Sequence, residues 1–276
     1  MQKFVTKIMI LSKTSTAYHI KNSEKILEVV LQRKQNRKTM DERRKKILAF
    51  GDSIIKGVIS EENGNGIKYR IPENSITDIC ERKLGVDVGN FGKFGCIITT
   101  REKIIDKNID KISENDTVLI EYGGNDSDKP WSEIADNPNG EHYARTPLPI
   151  FAETYHRIVR KLKAIGSNIY MLTLPPIDTD AYFRHFTKGM NEKQVGNIMS
   201  WLYGNKEVIN LWHEMYNQEI IKVAYTENVG LIDIYQPFIG SRNYRSFFCC
   251  DGIHPNQKGQ EVIARQIEMK LTKSIT

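Results

Sequence analysis

The chain has 276 residues, 39 % hydrophobic and 27 % charged, with 19 Gly and 9 Pro. That is globular composition, long enough for one large domain or a domain with an appendage, and it excludes collagen-like, low-complexity and wholly disordered chains. The net charge of +6 comes from 40 Lys and Arg against 34 Asp and Glu, but 13 of the basic and only 4 of the acidic residues fall in positions 1–46, leaving 27 and 30 for the rest. The body is therefore slightly acidic, the hint of nucleic acid that a basic chain gives applies to the leader alone, and no nucleic-acid partner is expected.

Four cysteines (Cys80, Cys96, Cys249, Cys250) are too few and too scattered for a disulfide scaffold or a CxxC metal site. No apolar run approaches the roughly 20 residues that cross a bilayer. Ile8 to Leu11 is shorter than the roughly 7–15 apolar residues of a signal peptide. These features predict a soluble, cytoplasmic chain with reduced thiols and no transmembrane segment.

In chain order, the first unit is a basic N-terminal extension over 1–44. Ile26, Leu27, Val30 and Leu31 make one apolar stripe at helical spacing. The stripe runs into Arg33, Lys34, Arg37, Lys38, Arg43 and Arg44, which read as a solvated basic arm, with a phosphate-rich or membrane-surface partner as the alternative. The extension is also a candidate for exchange between protomers, which leaves a homo-oligomer open.

From position 45 to 276, short apolar runs alternate with helical patterns. Strands are predicted at Ile47–Phe50, Val86–Asn90, Thr117–Tyr122, Asn168–Leu174 (stopped by Pro175 and Pro176) and Val229–Tyr235. Mostly apolar runs separated by helix-length segments indicate a mostly parallel sheet covered on both faces. The clearest helix carries Phe151, Tyr155, Ile158, Leu162 and Ile165 on one stripe and stops at Gly166. The last begins after Pro255 and carries Val262, Ile263, Ile267 and Leu271. The order gives a five-stranded, three-layer α/β/α domain. Two connections are longer than such a fold needs: 127–147, with Trp131, His142, Tyr143 and Arg145, and 177–215, with His185, Trp201 and Trp212. Long insertions after sheet strands commonly cover a site or wall a substrate.

Ligands of open α/β sheets bind beyond the carboxyl ends of the strands. Four short blocks fall there: Gly51-Asp52-Ser53, Asn90 to Gly95, Gly123-Gly124-Asn125-Asp126, and Asp251-Gly252-Ile253-His254. Together they could supply what acyl transfer needs. Ser53, on a strand-to-helix turn, is the candidate nucleophile. His254 is the candidate base, oriented by Asp251 three residues earlier. The Ser53 amide, the Gly95 amide and the Asn125 side chain are candidate oxyanion donors, with Gly92 the rival to Gly95. Asp52 is expected to buttress the turn, and Asp126 to be structural. Trp131, His142 and His185, in the insertions, are candidate substrate contacts.

These blocks resemble those of the SGNH (GDSL-type) hydrolase superfamily, although Ile54 stands where that family commonly has Leu. The resemblance covers roughly residues 45–272 and leaves the leader and both insertions unexplained. It implies a flavodoxin-like α/β/α hydrolase fold and a Ser53–His254–Asp251 triad. It also implies an oxyanion hole of Ser53, Gly95 and Asn125, a small-molecule ester substrate, and neither metal nor organic cofactor. An O-acetylated carbohydrate is the substrate it suggests first. A thioesterase or lysophospholipase of the same superfamily, an acyltransferase, and a non-catalytic binding protein on this scaffold are the alternatives. An α/β-hydrolase elbow is excluded, because Ile55 occupies the position of its second Gly. No Walker loop, HExxH or EF-hand pattern is present.

Overall fold

The computed structural model describes residues 45–64 and 66–275; the helical stripe and most of the basic run expected of the extension lie outside the described residues. Strand β1 (Ile47–Gly51) leads into helix α1 (Ser53–Lys56), a hairpin of β2 (Ile59–Asn63) and β3 (Gly66–Arg70), helix α2 (Ile76–Leu84) and strand β4 (Val88–Asn90). Then come α3 (Ile98–Asn108), β5 (Thr117–Glu121), α4 (Gly124–Ser127), α5 (Trp131–Asp136), α6 (Leu148–Ile165) and β6 (Asn168–Leu172). The chain closes with α7 (Thr179–Phe186), α8 (Glu192–Trp201), α9 (Val208–Thr226), β7 (Gly230–Ile232), α10 (Gln236–Ile239) and α11 (Gln257–Ile275).

Five strands form one sheet in the order β4-β1-β5-β6-β7, every neighbouring pair parallel. The chain leaves β1 toward one edge and then returns to β1's other side. The reversal of strand order therefore lies between β1 and β5, where doubly wound sheets open a ligand crevice. All five residues of β1 are buried, as a strand covered on both faces requires. Alternate residues face opposite layers. Leu48, Phe50, Val118 and Ile120 pack with Ile105 of α3, Tyr155 and Leu162 of α6, and Ile220 of α9. Ile47, Ala49 and Leu119 pack with Ile79 of α2 and Ile263, Ile267 and Leu271 of α11. Each such fully buried side chain contributes about 1.5–3 kcal/mol.

The predicted strands exist but two are shorter than the apolar runs. β6 ends at Leu172 because Asn217 of α9 replaces the ladder at Leu174, accepting from its N–H (2.6 Å) and donating to its carbonyl (3.3 Å). β7 ends at Ile232 because Asp233 Oδ1 accepts from the amides of Tyr235 and Gln236. The hairpin of β2 and β3 was not predicted, although a Gly-Asn pair between two short runs is a hairpin signal. The two insertions share a satellite core in which Trp131 and Ile134 pack with Ile177, Phe183, Ile198 and Ile209. Among the described residues no helix is long and apolar enough to cross a membrane.

Candidate active site

The site is assembled at the carboxyl ends of β1 and β5. As β1 ends, Asp52 turns the chain into α1: its Oδ1 accepts from the Ile54 amide at 2.8 Å. Ser53 is the first residue of that helix and 6 % exposed. A first-turn amide has no acceptor within its own helix, so the Ser53 N–H is free to face the crevice.

The partner of Ser53 comes from the turn before α11. Asp251 Oδ1 accepts from the amides of Ile253 and His254, both at 3.1 Å, and its Oδ2 accepts from His254 Nδ1 at 2.7 Å. That bond puts the imidazole proton on Nδ1 and leaves Nε2 as an acceptor, 2.9 Å from Ser53 Oγ. Burial pushes the Asp251 carboxyl up, but the hydrogen bond and charge of His254 outweigh it and hold the group below the ordinary carboxylate range. The turn requires Gly252: its φ is +76°, and a Cβ there would lie 2.4 Å from the Tyr182 amide nitrogen. The His254 ring is covered by Phe94, stacked at 5.6 Å, and by Tyr69 of β3, edge-on at 5.5 Å.

Asn90 pins the loop after β4 by donating to the Ile55 carbonyl (2.9 Å) and accepting from the Gly92 amide (2.9 Å). Gly92 is packed under α1, where a Cβ would lie 2.5 Å from the Lys56 nitrogen, whereas Gly95 lines the cavity with φ +66°. The amide of Gly95 donates to no acceptor among the described residues. Asn125, at the start of α4, is held at both ends: its Nδ2 donates to Asp52 Oδ2 at 2.8 Å, and its Oδ1 accepts from Arg145 at 3.5 Å. One proton of Nδ2 remains unclaimed.

Beneath this lies a buried carboxyl pair that composition and spacing do not disclose. Gly51 pairs with Glu121 across the sheet, which brings the fully buried Glu121 carboxyl against Asp52. Neither Glu121 oxygen has a hydrogen-bond partner among the described residues. Desolvation and the adjacent Asp52 charge push Glu121 well above the usual range. Asp52 is raised by desolvation too, but accepts from Ile54 and Asn125, and those bonds favour its ionised form. Of the two carboxyls, Glu121 is therefore the one pushed further toward its neutral form. Asp126, also buried, accepts from the Ile98 amide at 3.1 Å and caps α3, while desolvation pushes it up to about 7.

A cavity of about 390 Å³ opens above Ser53. Trp131, Tyr182, Phe186 and Trp212 line it from the insertions. Trp131 stacks on Phe186 at 4.4 Å and donates from Nε1 to Asp128 (2.9 Å), which also accepts from the Tyr182 hydroxyl at 2.6 Å. Of the residues expected to touch substrate, Trp131 and His185 line the cavity, and His185 lies 3.4 Å from the Tyr69 hydroxyl. His142 does not line it: its Nε2 bonds the Asn137 carbonyl and its ring lies against Trp201. His213, absent from the expected set, lines the cavity and bonds the Pro175 carbonyl (3.0 Å) and the Ser127 hydroxyl (3.1 Å). Desolvation pushes it down to about 4, so it is neutral. The four cysteines are free thiols.

A family model described as GDSL-like lipase/acylhydrolase matches residues 49–262. One GDSL esterase/lipase of Arabidopsis thaliana is 26 % identical over 57 % of this chain, which spans only 44 % of that relative's length. A second from the same plant is 25 % identical over 83 % of this chain and 86 % of its own. A solved structure of a catalytic mutant of an acetylxylan esterase from Geobacillus stearothermophilus has a TM-score of 0.57 at 17 % identity, covering 82 % of this chain and 94 % of that one. At that identity the likeness is one of fold.

Proposed function

The chain belongs to the GDSL-like lipase/acylhydrolase family, and from that premise we propose that it is a serine carboxylic ester hydrolase acting on a small acyl ester through Ser53, His254 and Asp251. The observation that carries this reading is the unbroken hydrogen-bond chain from Asp251 through His254 to Ser53, at 2.7 and 2.9 Å. The hydrolase unit is residues 45–276, with the insertions 127–147 and 177–215 as the substrate wall.

Ser53 Oγ attacks the ester carbonyl as its proton passes to His254 Nε2. The charge that develops on the carbonyl oxygen is met by the Ser53 amide, the Gly95 amide and the free Nδ2 proton of Asn125. These donors are positioned before reaction, so little reorganisation opposes them. Asp251 keeps the imidazole in the tautomer that accepts from Ser53 and stabilises the imidazolium that follows. His254 then gives its proton to the departing alkoxide. In the second half, water attacks the acyl-enzyme with His254 again as base, releasing the acid and restoring the Ser53 hydroxyl.

An O-acetylated carbohydrate is the substrate class favoured here. The aromatic wall of Trp131, Phe186 and Trp212 suits the apolar face of a sugar, and one structural relative is named as an acetylxylan esterase. The test is hydrolysis of a p-nitrophenyl ester ladder from acetate to palmitate by the wild type and Ser53→Ala. Activity greatest on acetate and lost in the variant supports the reading. An optimum at long chains replaces it with a lipid-accepting hydrolase. Undiminished activity in Ser53→Ala overturns the serine mechanism.

A further inference from the structure

Several cations on the described body of the protein have carboxylate partners. Lys161 pairs with Glu102 and Asp106, Arg157 with Glu102 and Glu153, and Arg245 with Asp180 and Glu207. The two cations that line the Ser53 cavity, Lys129 and Arg145, depart from this pattern: among the described residues neither has a carboxylate within 4.0 Å. Lys129 is half-buried, with its Nζ 4.8 Å from the centroid of Trp212 and 5.9 Å from that of Trp201. The neighbouring Asp128 carboxylate is occupied by Trp131, Tyr182 and the Lys129 backbone amide. Among the described residues Arg145 donates only to neutral oxygens, Asn125 Oδ1 at 3.5 Å and the Gly95 carbonyl at 3.3 Å.

The two side chains belong to one patch. The Arg145 amide donates to the Asp128 carbonyl at 3.0 Å, and the next amide, Thr146, to the Asp126 carbonyl at 3.1 Å, so the segments carrying Lys129 and Arg145 lie side by side. Of the three acidic residues that line the cavity, Asp52 accepts from Ile54 and Asn125, Asp128 accepts from Trp131, Tyr182 and the Lys129 amide, and Glu121 is fully buried, where desolvation favours its neutral form. A lysine half-withdrawn from water with no carboxylate in ion-pair reach is costly to keep ionised, and desolvation lowers its pKa despite the charge of the neighbouring Asp128. An anion arriving in the cavity removes that cost.

The geometry points to an anion subsite: Lys129 and Arg145 bind a carboxylate or phosphate carried by the ester substrate, an inference that rests on the ester-hydrolase reading above. The apolar part of such a substrate packs on Trp131, Phe186 and Trp212, and the charged part meets the Lys129 ammonium and the Arg145 guanidinium. Charge-assisted bonds of this kind are the stronger class of hydrogen bond.

The experiment compares anionic esters with neutral isosteres on the full chain. With the charge on the alcohol portion, 4-acetoxybenzoate is set against its methyl ester. With the charge on the acyl portion, the p-nitrophenyl monoester of glutarate is set against p-nitrophenyl valerate. The expected result is that in one pair, which identifies the portion bearing the anion, kcat/KM favours the charged member by about tenfold or more. Added salt shrinks that ratio in the wild type, Lys129→Gln lowers it about tenfold, and Lys129→Arg restores most of it. Neutral esters turned over as well as charged ones in both pairs overturn the inference while leaving the esterase intact. A charge preference that persists in Lys129→Gln and does not respond to salt overturns it as well. If no ester is hydrolysed and a neutral fluorophosphonate does not label Ser53, the hydrolase reading fails and takes this inference with it.

Discussion

The side-chain amide of Asn125 donates to Asp52 Oδ2 at 2.8 Å, so the residue that caps the Ser53 helix also aims the amide at the end of β5. One carboxylate thereby couples the backbone of the candidate nucleophile to the candidate oxyanion donor. Asn125→Ala should lower kcat by about 10²–10³, as removal of one oxyanion donor does elsewhere. Asp52→Asn has only one acceptor oxygen, so in either amide orientation its NH2 faces the Ile54 amide or the Asn125 amide, donor against donor, and it should fall comparably. Because the two substitutions disable one device, the double variant should be far less impaired than the product of the single losses. A cycle of kcat on p-nitrophenyl acetate measures this. Strict additivity would show that the two side chains act separately.

Asp251 bonds His254 Nδ1 at 2.7 Å and both neighbouring amides at 3.1 Å. Asp251→Asn is close to isosteric but can present N–H to Nδ1, which would favour the tautomer that cannot accept from Ser53. The expected loss in kcat is about 10⁴ with the fold retained. Circular dichroism checks the fold and stopped-assay turnover the loss. A variant that keeps kcat within tenfold of wild type would remove Asp251 from the orienting role.

Glu121 is fully buried against Asp52, and desolvation with the adjacent charge pushes its carboxyl well above the usual range. A neutral side chain that can donate to Asp52 should therefore replace it. Glu121→Gln is expected to keep kcat within about tenfold, whereas Glu121→Ala leaves a cavity and removes the donor to Asp52, and should cost on the order of 10². The informative readout is kcat against KM, since misaimed oxyanion donors lower kcat with little effect on KM. Equal loss in both variants would mean that Glu121 acts through packing alone.

The order of strands and helices was legible because strands covered on both faces must be apolar, and the runs at Ile47, Thr117 and Asn168 have no other use. Ser53, Gly95, Asn125, Asp251 and His254 were legible as candidates because each sits within a residue or two of a strand end or turn, where local spacing already determines reach. What escaped notice depends on tertiary register. Glu121 meets Asp52 only because Gly51 pairs with Glu121. Tyr69 covers His254 only because the unpredicted hairpin folds over it. Arg145 reaches Asn125 only because its segment lies against residues 126–128. His142 resembles His185 in composition and context, and sequence could not tell that one faces Trp201 and the other the cavity.

Asp126 offers a test of the buried acidic cluster by stability instead of turnover. Its carboxyl is pushed from an ordinary 3.8 to about 7 by desolvation. A carboxyl whose pKa is raised by folding contributes its full stability below the unfolded value and loses it as pH rises through the folded one. Between about pH 4 and pH 7 the wild type should therefore lose on the order of 4 kcal/mol from this group alone. Asp126→Asn keeps an oxygen for the Ile98 amide but cannot ionise. The variant should match the wild type near pH 4 and become progressively more stable relative to it up to about pH 8. Urea unfolding of both proteins across that range measures the difference, which cancels the titration of every other group they share. A difference that stays flat with pH would mean that Asp126 is ionised throughout and that the Ile98 amide outweighs the cost of its burial.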